Sequence, residues 1–148
     1  MKRKQHLALV AITTILACCA AVEDRQVVNI PLTASKQNTG EIGQATLTAS
    51  GEATAMSIFI SGVPSGTTRP VHVYSFIYAG SCTQRLTEVP AFEMNQRVLA
   101  DKDNSKGGWT LWKKANVALS TLRSGNFSIV LRTAPADGNH EIFCGEIS

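Results

Sequence analysis

Four stretches of this chain alternate between two sets of residues, and a period of two permits little except β-strand. Gly43, Ala45 and Leu47 alternate with Gln44, Thr46 and Thr48. Met56, Ile58 and Ile60 alternate with Ser57, Phe59 and Ser61. Val71, Val73 and Ser75 alternate with His72, Tyr74 and Phe76, and Phe127, Ile129 and Leu131 with Ser128, Val130 and Arg132. Between these runs fall Ala49-Ser50-Gly51-Glu52, Gly62-Val63-Pro64-Ser65-Gly66 and Pro135-Ala136-Asp137-Gly138-Asn139. Such clusters supply the fixed and positive φ angles that turns need. Residues 25–32 and 140–147 read as first and last strands, and Trp109 to Leu119 as a further long strand. Ser120 to Gly125 reads as a single helical turn, and the polar run Asp101 to Gly108 as a loop tip. Short strands at this spacing define an all-β sandwich or barrel.

The N-terminus has a different grammar. Lys2, Arg3 and Lys4 precede an apolar run from Leu7 to Ala17, the charged and apolar regions of an export signal. That run is shorter than the roughly 20 residues a spanning helix requires. Residues 1–21 are therefore expected to be a signal peptide and 22–148 one domain. Ile15-Leu16-Ala17-Cys18 resembles a bacterial lipobox, which would leave Cys18 lipidated; ordinary cleavage near Ala21 is the other reading. The expected location is periplasmic or at the cell surface, with the membrane reached only through that lipid.

Charge and cysteine usage change once the leader is set aside. The formal charge of +3 rests on three leader residues, because residues 22–148 carry 11 basic and 11 acidic side chains. A near-neutral domain has no basic stripe for phosphates, and a nucleic-acid partner is not expected. Beyond Ala21 only Cys82 and Cys144 remain of the four cysteines. In an oxidising compartment two lone cysteines read as one disulfide, against the alternative of two buried thiols.

His72-Val73-Tyr74, Gly80-Ser81-Cys82 and Phe143-Cys144-Gly145-Glu146-Ile147 together resemble the copper/zinc superoxide dismutases. Those have a His-x-His strand, a Gly-Cys in the following loop and a Cys-Gly near the end. The stretch from Thr39 to Gly66 is similar to the opening hairpin of that family, and also to CHRD repeats and small secreted bacterial relatives. The resemblance implies a Greek-key β-sandwich or flattened barrel of about eight strands, with one intrachain disulfide, Cys82–Cys144. It also implies where metal ligands would lie. His72 keeps the first histidine of the strand motif, Tyr74 replaces the second, and Arg132 occupies the later ligand strand. Glu141 stands where the family has its anion-guiding arginine, three residues before the last cysteine. No histidine lies between Thr83 and Gly138.

That pattern describes a vestigial metal face formed by His72, Tyr74, Arg132, His140 and Glu141. Copper redox cycling needs several imidazoles, a guanidinium repels a cation, and a carboxylate in place of the guide removes the field that steers superoxide. No catalytic residue and no cofactor are expected. A Ser-His-Asp site would have to use His72 or His140, and no phosphate loop or zinc-spaced cluster is present. The residues point to a non-catalytic envelope module with a binding or structural role, its partner a protein or a glycan. The alternative is a residual metal site using His72 and His140. Trp109 and Trp112, three apart, would face opposite sides of one regular strand. A bulge between them would instead place both in the core.

Overall fold

A computed structural model describes residues 26–92, 94, 99–103 and 107–148. The expected leader, including Cys18, lies outside the described residues. The strands are β1 (Val27–Ala34), β2 (Gly43–Ser50), β3 (Ala53–Ile60), β4 (Val73–Ala79), β5 (Asp101–Asp103), β6 (Gly108–Ala115), β7 (Phe127–Thr133) and β8 (Glu141–Ile147). One short helix, α1 (Leu119–Ser124), stands between β6 and β7. The strands form one antiparallel sheet in the order β4-β7-β8-β1-β2-β3-β6-β5, curled into a half-barrel. The all-β expectation holds.

The curl turns on β1, which belongs to both halves. Val27 to Leu32 pair with β2, whereas Thr33 and Ala34 pair with β8. Two glycines let the backbones approach at this corner. A Cβ on Gly43 would lie 3.0 Å from both Leu32 and the Phe143 ring, and one on Gly145 would lie 2.8 Å from the Pro31 carbonyl. Strand glycines commonly mark such close approaches. The free edges β4 and β5 are drawn together at one end, where His72 bridges Leu99 and the Ala100 N–H donates to the Val71 carbonyl at 3.1 Å. With that seam, β7 lies beside β4 and β4-β5-β6 follow in order, which is a Greek key.

The alternation read from sequence sorts the side chains as expected. Ile30, Leu32, Ala45, Leu47, Met56, Ile58, Ile60, Val73, Ile77, Ile129 and Leu131 face the interior and are buried. Leu119 and Leu122 of α1, three apart on one helical face, add to the same core. Thr54 is fully buried, and its hydroxyl donates to the Val117 carbonyl at 2.8 Å, which satisfies it.

Two expectations need correction. The strand proposed from Trp109 to Leu119 ends at Ala115, because Leu119 is recruited into α1 to bury its side chain in the core. The polar run beginning at Asp101 is not all loop, since Asp101–Asp103 pair with Gly108–Thr110 as an edge strand. A three-residue charged edge has no apolar alternation to announce it, and charge on an edge discourages pairing with other chains.

Candidate functional site

The outward row of β4 and β7 carries the residues singled out from the sequence. Tyr74 lies opposite Arg132, and Arg132 opposite Glu141 on β8. Their strand neighbours Val73, Leu131 and Phe143 point into the core. Glu141 faces outward only because of a β-bulge. Leu131 pairs with Phe143 and Arg132 with Glu141, so β8 has one extra residue, Ile142, within that step. Strict alternation would give Glu141 the inward parity of Phe143. The bulge buries Ile142 and Phe143 consecutively and turns the carboxylate out beside Arg132.

There Glu141 is shared by two guanidiniums. Arg85 forms a hydrogen-bonded ion pair with it, and the Arg132 Nη2 lies 4.0 Å from the same oxygen. Arg85 also lies over the Tyr78 ring, 5.1 Å from its centroid. Arg85 reaches this point on the loop after β4, which folds tightly back on itself. Gly80 and Arg85 form a β-bridge, and Leu86 N–H donates to the Ala79 carbonyl at 2.9 Å. The same loop delivers Cys82 to Cys144 on β8, closing the disulfide with a Cα–Cα distance of 5.8 Å. Cys144 packs outside the main core with Tyr78 and Val130.

The two histidines occupy different settings. His72 is half-buried at the seam with Leu99. His140 is exposed at the end of the β7–β8 turn, its N–H held by the Thr133 hydroxyl at 2.9 Å. It lines a surface groove of about 400 Å³ with Lys36, Arg132 and Glu141, and His72 is not part of that lining. A copper ion does not fit the donor set, because the position beside Tyr74 holds an ion-paired guanidinium with no lone pair to give. Among the described residues no three His, Cys, Asp or Glu side chains converge in a way that could hold a metal.

The turn carrying His140 depends on Gly138, which has φ of 87° and would place an added Cβ 2.4 Å from the His140 Nε2. Gly138→Ala is expected to cost about 1 kcal/mol in urea unfolding, chiefly from the left-handed backbone. An unchanged midpoint would refute this.

The opposite half of the sheet presents a different surface. Trp109 packs against the core, with the Arg69 guanidinium 5.0 Å from its ring centroid. Trp112 is 59% exposed on the outer face. Pairing between β3 and β6 is continuous through both, so no bulge intervenes. The register sets Trp112 at the end of a cross-strand row through Ser57, Thr46 and Asn29. Beside it runs a row of Thr110, Phe59 and Gln44. This face carries hydroxyls and amides, with the exposed Lys114 two positions beyond Trp112 on β6.

Sequence reasoning missed Arg85 and Lys36. Neither belongs to an alternating run, and only the folded loops bring them to the β8 bulge. Neither a family model, nor a curated protein, nor a solved structure matches this chain.

Proposed function

We propose that this chain is a non-catalytic binding module of the cell envelope, an exported and lipid-anchored relative of the dismutase fold that holds a neutral glycan. The observation that carries the reading is Trp112, exposed on the outer sheet face at the end of a polar cross-strand row and with Lys114 two positions along the same strand. A large rigid ring supplies contact area at low entropic cost. The hydroxyls of Thr46 and Ser57 and the amides of Asn29 and Gln44 can hydrogen-bond to sugar hydroxyls. The cross-strand row of Trp112 continues through the polar side chains of Ser57, Thr46 and Asn29, which suits sugar hydroxyls.

The Arg85–Glu141–Arg132 cluster supports the non-catalytic part of the reading. Ion pairs occupy the row where the resemblance would place copper ligands. Trp112→Ala is expected to weaken retention on envelope polysaccharide by at least about tenfold, as for a central aromatic contact. The same change should alter stability by less than about 0.5 kcal/mol. Equal retention of the variant and the natural protein in affinity electrophoresis would remove glycan binding from this face. Trp112-dependent capture of one envelope protein would make the partner a protein.

A further inference from the structure

The β8 bulge does more than turn Glu141. The Ser35 N–H, just past β1, donates to the Ile142 carbonyl at the bulge, at 2.9 Å. This contact brings the 3-10 turn at Lys36–Asn38 alongside β8 and forms one wall of the groove. Arg132 from β7 and Asn139-His140 from the β7–β8 turn form the other walls. Three separate elements thus converge on one shallow basin.

Its chemistry is one-sided. Lys36 and Arg132 are cationic, and Gln37, Asn139 and His140 add side-chain donors. The only carboxylate in the lining is Glu141, which already serves Arg85. Two polar atoms here, Arg132 Nε and Ser35 Oγ, are buried and have no hydrogen-bond partner among the described residues. A buried donor without a partner is costly, so the Arg132 side chain gains by turning toward an acceptor held in the groove. A volume of about 400 Å³ lies at the small end of ligand sites, enough for a single sugar-sized molecule.

We infer that the groove between Lys36, Arg132 and His140 is a binding site for a small organic oxyanion, a carboxylate or phosphate monoester on a compact polar scaffold. The guanidinium of Arg132 presents a planar fork suited to two oxygens, and Lys36 supplies a second charge from the facing wall. Glu141 sets the selectivity. Its charge, offset by Arg85 and Arg132, opposes a second anionic group on the ligand scaffold and favours ligands with one oxyanion group over those with several. The site lies apart from the Trp112 face and does not depend on glycan binding there.

Two probes test this, glucuronate and inorganic phosphate, titrated into the purified protein and followed by backbone amide NMR at constant ionic strength. Saturable shifts are expected at Ser35–Gln37, Arg132 and Asn139–Glu141, with little change around Trp112. Arg132→Gln should weaken binding about tenfold, as expected for loss of a charge-assisted pair. Lys36→Gln, a change at an exposed position that leaves the fold intact, should weaken it by a smaller but measurable factor. Binding of glucuronate alone would identify a carboxylate ligand, and of phosphate alone a phosphate ester. Absence of saturation with both probes, or equal binding by natural protein and Lys36→Gln, would overturn the assignment.

Discussion

Replacing Cys82 and Cys144 together with alanine is expected to destabilise the protein by about 4 kcal/mol. The bond joins residues 62 positions apart, and in the chain-entropy treatment a loop of that length constrains the unfolded chain by about that amount. For a domain of this size the midpoint of thermal unfolding should fall by roughly 15 °C. The effect should exceed that of a surface substitution because Cys144 also packs with Tyr78 and Val130. Adding a reductant to the natural protein should reproduce most of the shift. Identical midpoints with and without reductant would show that the bond adds nothing to stability.

Gly80→Ala is expected to have the next largest effect, a loss of roughly 2–4 kcal/mol from backbone strain and overpacking combined. Gly80 has φ of 101°, and an added Cβ would sit 2.4 Å from the Gln84 carbonyl and 2.9 Å from the Arg85 Cα. Those atoms are backbone and cannot swing aside. The loop would have to open, moving Arg85 from Glu141 and straining the approach of Cys82 to Cys144. Gly40→Ala is the control, with φ of 91° and nothing within 4 Å of the added atom. It should cost only the conformational part, about 1 kcal/mol. Equal losses for the two variants in urea unfolding would show that the close approach at Gly80 is immaterial.

The difference between these two glycines also marks what a sequence can disclose. Both read as punctuation, and nothing local separates a glycine in open space from one under a returning loop. The strand alternation was legible because each strand buries one face, which forces apolar residues to every second position. It gave the inward parity of Val73, Ile129 and Leu131 correctly, whereas for Trp109 and Trp112 it left two arrangements open, and the unbroken register of β3 and β6 decides for opposite faces. Alternation fails where the backbone departs from a period of two. The bulge at Ile142 reverses the facing of Glu141, and its cause is tertiary, since consecutive apolar residues Ile142 and Phe143 are both drawn into the core. Lys36 and Arg85 were invisible for the same reason. Their positions follow from Ser35 meeting the bulge and from Arg85 bridging Gly80. The disulfide, by contrast, followed from counting cysteines outside the expected leader.

β1 is the first strand among the described residues, yet it sits between β8 and β2 in the middle of the sheet. Residues 33 and 34 pair with residues 144 and 143, nearly the whole described chain away. The hairpin of β2 and β3 can form early and locally, whereas the two halves can be joined only after the last strand has been made. High sequence separation between contacting residues slows folding, because loop closure must precede the contacts that reward it. A growing chain therefore cannot join the two halves of its sheet through β1 and β8 until residues 143 and 144 have been made.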